Sequence, residues 1–162
     1  SKNACGLASP TRGVIAMGGD PLTNTIDYIT IASAGNAQDF GDMTAPTKYG
    51  GATSSNVRAI YAGGNAPNDS TFTNKIEFFT IATLGNGTDF GDLITARSTS
   101  PGTTSNNIRG VISGGYTPSG NLNSIEFVTI ASTGNAQDFG DISLGLNMRG
   151  IGACSDSHGG LE

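Results

Sequence analysis

The stretch "NTIDYITIASAGNAQDFGDM" (residues 24–43) returns as "NKIEFFTIATLGNGTDFGDL" (74–93) and again as "NSIEFVTIASTGNAQDFGDI" (123–142). Ile26, Ile76 and Ile125 correspond, as do Phe40, Phe90 and Phe139, at offsets of 50 and then 49 residues. Its second half, "GNAQDFGD", is identical at 35–42 and 134–141. Upstream of each copy lies another matched segment: "RGVIAMGG" (12–19), "RAIYAGG" (58–64) and "RGVISGG" (109–115). Self-similarity at this spacing marks a repeat architecture, in which each unit buries its apolar faces only by stacking on a neighbour.

Each unit reads as four short strands. In the middle one they fall near 50–56, 57–64, 75–82 and 89–93. The third strand, "IEFFTIA", is almost continuously apolar, as expected when a sheet is packed between two others. Ala16, Ala62 and Ser113 are small residues suited to a crowded position near an axis. The glycine pairs that follow, Gly18–Gly19, Gly63–Gly64 and Gly114–Gly115, mark sharp exits into the next loop.

Composition supports an all-β class. The 162 residues suffice for one domain with a core, and 25 of them are glycine. No segment holds the i, i+3, i+4, i+7 apolar spacing of a helix for two turns. Only 13% of residues are charged, so amides and hydroxyls must carry the surface. A net charge of −5 argues against nucleic acid, which needs clustered Lys and Arg. No apolar run approaches the roughly 18 residues of a membrane-spanning helix, and no signal peptide is visible; the start at Ser1 leaves a processed leader open. Leu161–Glu162 is compatible with a cloning remnant. "NDS" (68–70) and "NGT" (86–88) fit the glycosylation sequon, a match that Asn-rich chains also generate by chance.

Four-stranded units at this period, buried on both faces, describe propeller blades. The residues resemble the kelch repeat family, in which an apolar strand ends in Gly-Gly and aromatics follow on the third and fourth strands. Gly18–Gly19 with Tyr28 and Phe40 match in order, as do Gly63–Gly64 with Phe78 and Phe90, and Gly114–Gly115 with Phe127 and Phe139. Lys48, Arg97 and Arg149 stand for the basic residue which that family places before its first strand. The usual fourth-strand Trp is Phe here, and the chain has no Trp. The "TIA…GNA.DFGD" flavour is also similar to repeats in predicted structural proteins of tailed bacteriophages and marine metagenomes. The resemblance implies a β-propeller of four-stranded antiparallel blades: blade one over about 1–43, blade two over 48–93 and blade three over 98–142.

Three blades fall short of the usual four to eight. "NACGLASPTR" (3–12) reads as the innermost strand of blade one, and "GIGACSDSHGG" (150–160) as the same strand again, a surplus placed over about 148–158. Two chains related by a twofold axis would give a six-bladed homodimer. The alternative is a piece of a longer array with an open edge. Cys5 and Cys154 fall on corresponding strands; they either bridge two chains or rest as buried free thiols.

Several residues invite chemistry. "DFGD" matches a kinase magnesium element in letters only, since the lysine strand and the HRD loop are absent. Asn36, Asp39 and Asp42, with their counterparts Asn86, Asp89, Asp92 and Asn135, Asp138, Asp141, offer oxygens to calcium. Calcium wants six to eight ligands, usually closely alternating acids, and this spacing is sparse. The competing reading is a Gly-Asn turn whose acids accept backbone amides. Arg12, Arg58 and Arg109 open the second strands, where they either pair with Asp27, Glu77 or Glu126 of a neighbouring unit or gather around an anion. Ser155, Asp156 and His158 are too contiguous for a hydrolytic triad, and no nucleophile elbow is present. No catalytic residue, metal or cofactor is therefore expected.

Internal comparison points to a ligand face. The loop from third to fourth strand keeps one length, whereas the loop from second to third runs over 20–25, 65–75 and 116–124, which is six, eleven and nine residues. Loops vary where function is carried on a fixed scaffold, although drifting loops also tolerate insertions. The face bearing Asp20, Asn68, Asp69, Phe72, Tyr116 and Asn121 is the expected contact surface. The expectation is a non-enzymatic module for protein contact, in a phage particle or on a cell surface. A glycan-binding propeller is the alternative, and a hydrolase ranks third.

Overall fold

The computed structural model describes residues 4–18, 21–66, 71–98, 101–143 and 151–154. Every regular element among them is a strand. The first sheet takes β1 (Cys5–Ala8), β2 (Arg12–Gly18), β3 (Thr23–Thr30) and β4 (Gln38–Asp42). The second takes β5 (Gly51–Ser54), β6 (Arg58–Ala62), β7 (Lys75–Thr80) and β8 (Thr88–Asp92). In the third, β9 (Gly102–Ser105) and β10 (Arg109–Ser113) are followed by a two-stranded ladder, β11 (Tyr116–Thr117) and β12 (Gly120–Asn121). That sheet is completed by β13 (Ser124–Thr129) and β14 (Gln137–Asp141). All three four-stranded sheets are antiparallel, with strands in chain order. The all-β class and the four-stranded antiparallel unit expected from the repeat are thus present.

The local chemistry repeats with the sequence. Between the first and second strands, the side chains of Ser9, Ser55 and Asn106 accept the backbone amides of Arg12, Arg58 and Arg109 at 3.1, 3.1 and 2.7 Å. These are the side-chain turns that Ser and Asn favour. After the second strand of sheet two, Gly63 and Gly64 take φ of 70° and 108°, a region that a side chain resists. Between third and fourth strands, Ile26 pairs Gly41 while Asp27 pairs Asp39, so Phe40 is the extra residue of a β-bulge. The same bulge isolates Phe90 and Phe139. A bulge re-aims a side chain, and here it turns Phe40 and Phe90 into the core shared with the following sheet, while Phe139 stays exposed.

Two cores result. One lies between sheets one and two, around Val14, Ile26, Phe40, Tyr61, Phe79 and Ile81. The other lies between sheets two and three, around Ile60, Ile76, Phe90, Ile112, Val128 and Ile130. Among the described residues only the middle sheet is covered on both faces, which is why the both-sides-buried reading of the third strand holds best there. Phe79 and Ile81 face back to sheet one, while Ile76 faces forward to sheet three.

The first strands lie side by side. Ser54 Oγ donates to Ala8 O at 2.9 Å, Thr103 Oγ1 to Ala52 O at 2.7 Å and Ser105 Oγ to Ser54 O at 2.7 Å. Residues 151–154, the described part of the surplus strand expected over 148–158, lie against β9. Thr104 Oγ1 donates to Cys154 O at 2.9 Å there, and Ile151 crowds Gly102, but no strand forms.

Candidate functional site

The repeated Gly-Asn turn is a clasp between sheets. Gly85 N donates to Phe40 O at 3.0 Å and Gly87 N to Asp42 O at 2.8 Å, so the turn of sheet two caps the outer strand of sheet one. Asn86 Oδ1 closes the clasp by accepting the amide of Asp42 at 3.0 Å. One unit on, Gly134 N reaches Phe90 O at 2.7 Å, Ala136 N reaches Asp92 O at 2.8 Å and Asn135 Oδ1 accepts from Asp92 N at 3.0 Å. The approach is close enough to require glycine in the outer strand. A Cβ at Gly41 would lie 2.6 Å from Gly85 O, and one at Gly91 would lie 2.4 Å from Gly134 O. Of the oxygens considered for calcium, those of Asn86 and Asn135 are engaged in holding an amide. No group of three or more His, Cys, Asp or Glu is arranged to hold a metal among the described residues.

The arginines at the start of the second strands join the same boundary, though not as expected. Arg12 Nη1 donates to Ile81 O at 2.6 Å, and Arg58 Nη1 to Ile130 O at 3.1 Å and Ala131 O at 2.9 Å. Each guanidinium also stacks on an aromatic of its own sheet: Arg12 over Tyr28 and Arg58 over Phe78 at 4.7 Å, Arg109 over Phe127 at 4.8 Å. Arg12 and Arg58 bind neighbouring carbonyls rather than Asp27, Glu77 or Glu126. A planar cation spanning a ring and a carbonyl needs no counter-charge to be satisfied.

Those carboxylates have other partners. Glu77 Oε1 accepts the amide of Thr44 at 3.3 Å and the Thr44 hydroxyl, while Glu126 Oε2 accepts the amide of Ile94 at 2.8 Å. Glu126 Oε1 pairs with Arg97, a fully buried guanidinium that also donates to Gly114 O at 2.9 Å and Ser124 Oγ at 3.1 Å. Burial pulls the Arg97 pKa down, against the opposing pull of Glu126. Lys48 differs from Arg97: it lies half-buried over the Tyr49 ring at 5.6 Å. Arg149 lies outside the described residues. The sequence singled out Arg97 and Glu126 separately but not as a pair, because they are 29 residues apart and the pairing occurs in one unit among the described residues.

On the expected ligand face, the structure brings half of the chosen residues together. Phe72 and Tyr116, from the second-to-third-strand loops of adjacent sheets, meet with ring centroids 5.9 Å apart at 53°, an aromatic packing geometry. Tyr116 pairs Asn121 across the β11–β12 ladder. All three are half-buried. Asp20, Asn68 and Asp69 lie outside the described residues, as do Gly19, Ser155, Asp156 and His158.

Cavities of about 220, 190 and 160 Å³ sit at equivalent places beside the Gly-Asn turns of sheets one, two and three. Their recurrence makes them part of the repeat. A groove of about 230 Å³ runs along the first strands, between Leu7, Ala52, Thr53, Ser54, Thr103 and Ser105; it carries hydroxyls and no ionisable group. Both cysteines are free thiols, Cys5 half-buried and Cys154 exposed, so the expectation of two buried thiols fails at Cys154. Burial pushes the Cys5 thiol up to about 11.

No family model matches the sequence, and no curated protein matches it. Among solved structures, the chain is similar to that of YjhT. The TM-score is 0.67 at 17% identity, over 84% of this chain and 44% of YjhT. At that identity the likeness speaks for the fold alone. The chain spans less than half of YjhT, which is therefore close to two of these chains in length.

Proposed function

We propose that the chain is a non-enzymatic binding or structural module, three blades of a kelch-like β-propeller that makes protein–protein contact through its second-to-third-strand loops. Support for the propeller reading comes from three sheets stacked face to face with their first strands gathered along one groove. The contact surface rests on one observation: Phe72 and Tyr116, from loops of different length on different sheets, form a single half-exposed aromatic pair. Aromatic rings anchor protein contacts because they bury much area at low entropic cost. A structural role in a particle or on a cell surface fits the sparsely charged, hydroxyl-rich composition.

A glycan-binding role is the second reading, and one feature favours it. Tyr116 faces Asn121 across its ladder, which sets an aromatic beside an amide as sugar sites require. A hydrolase ranks last, since Ser155, Asp156 and His158 are contiguous in sequence.

Wild-type chain and the Phe72→Ala and Tyr116→Ala variants should be compared on a glycan array and against a displayed library of folded protein domains. Domain binding lost in both variants, with a blank array, supports the protein-contact reading. Sugar binding lost in Tyr116→Ala moves the assignment to a lectin. Binding unchanged by either substitution removes this face from consideration.

A further inference from the structure

The clasp occurs twice among the described residues, which also carry both halves of a third, unengaged there. On the outgoing side, Phe139 is 55% exposed, whereas its counterparts Phe40 and Phe90 are each 3% exposed. Arg109 is preset on Phe127 like Arg12 and Arg58 on their rings, yet no neighbouring carbonyl receives it among the described residues. On the incoming side, Ile15, Ile29 and Ile31 are 40%, 39% and 54% exposed. Their equivalents in sheet two (Tyr61, Phe79, Ile81) and in sheet three (Ile112, Val128, Ile130) are all core residues. The turn at Gly35–Asn36 holds the same letters as the turn at Gly134–Asn135 that clasps sheet two.

We infer that the occupant of both faces is a second copy of this chain, joined head to tail, with the Gly35–Ala37 turn of one copy clasping Phe139–Asp141 of the other. The complement of each exposed face is present at the far end of the same molecule, with matched hydrogen-bonding groups and apolar residues. The Phe139 ring would enter the Ile15–Ile29–Ile31 face as Phe40 meets Phe79, at 5.0 Å between centroids. Arg109 would reach the Ile31 carbonyl as Arg12 reaches that of Ile81. Two copies use every such face when a twofold axis relates them, and six sheets lie within the usual range for a closed ring. The count of six rests on the propeller reading; the clasp itself does not.

One segment competes. Ile151 crowds Gly102 as Thr103 crowds Gly51, so residues 151–154 hold the place where the first strand of a following sheet would lie. They are mostly exposed and form no strand, and the β1 strand of the second copy displaces them.

Sedimentation equilibrium from low micromolar to submillimolar concentration tests the inference on the full chain. The expected species has twice the chain mass. Phe139→Asp and Ile29→Asp each alter a residue exposed in the single chain, and each should weaken association roughly 30-fold or more, as loss of a central anchor does. Unchanged circular dichroism melts at low concentration would show that both variants fold. Ile151→Asp, which loosens the competing segment, should tighten association roughly 2- to 10-fold. A wild-type chain that stays monomeric throughout overturns the inference, as does a dimer sensitive to Ile29→Asp but not Phe139→Asp. Mass that grows beyond two copies overturns the closed ring. A monomer with both internal clasps intact would leave the propeller-module reading standing while removing the dimer.

Discussion

Asn86 Oδ1 accepts the backbone amide of Asp42 from across a sheet boundary, 44 residues away, at 3.0 Å. Asn135 does the same for Asp92. Both bonds are exposed, so removal of the acceptor hands the amide to water, and Asn86→Ala and Asn135→Ala should each cost about 0.5–1 kcal/mol. Asn36→Ala, whose turn caps no outer strand among the described residues, should stay within about 0.5 kcal/mol in dilute solution. Urea midpoints of the three variants check this ordering.

The glycine at the centre of "FGD" carries a different burden in each repeat. Gly91, at φ 148°, leaves only 2.4 Å between an added Cβ and Gly134 O, while Gly140, at φ 135°, has nothing within 4 Å. Both alanine variants bear backbone strain, but only Gly91→Ala forces two backbones apart. It should lose roughly 1–3 kcal/mol more than Gly140→Ala, measured by chemical denaturation.

The Arg97–Glu126 pair sits inside the boundary between sheets two and three. Arg97→Ala would leave a buried carboxylate with the Ile94 amide as its remaining described partner. A loss of about 3–5 kcal/mol is expected, with a smaller loss when Glu126 is made apolar at the same time. A double-mutant cycle on thermal or urea unfolding reads the coupling.

The two thiols should behave differently. Cys5, held at about 11 by burial, should resist alkylation at mild alkaline pH while exposed Cys154 reacts; mass mapping after iodoacetamide distinguishes them. The Cys5 pKa is raised in the folded chain, so its contribution is complete below the ordinary value of 9.0 and is lost as pH rises toward 11. Tyr61, also raised by burial, adds to the loss at still higher pH. Stability should therefore fall by about 1–3 kcal/mol across that alkaline window. Cys5→Ala should flatten the earlier part of the fall.

Much of the architecture was legible because the repeat states its own period and its strands carry the burial in their letters. "IEFFTIA" declares a strand covered on both sides, and the structure covers it. The role of Asn86 was less legible. A Gly-Asn turn explains itself locally, and nothing in one unit says that its side chain serves the unit before it. The signal was the constant loop length, which a turn alone does not require. The pairing of Arg97 with Glu126 was illegible for another reason: among the described residues it occurs at one boundary, so the repeat gives no second reading of it. On the loop face, sequence variation singled out Phe72 and Tyr116 separately, and only folding shows them as one aromatic pair.

Amide hydrogen exchange at Asp42, Asp92 and Asp141 tests most directly the claim that "GNAQDFGD" is a joint between sheets and that its third copy awaits a second chain. At low concentration, Asp42 and Asp92 should exchange slowly, each amide being held by an asparagine of the next sheet, and Asp141 should exchange fast. As concentration rises, Asp141 should gain protection in step with dimer mass. Equal and rapid exchange at all three would contradict the joint, and an Asp141 amide that stays fast in a dimer would contradict the head-to-tail assembly.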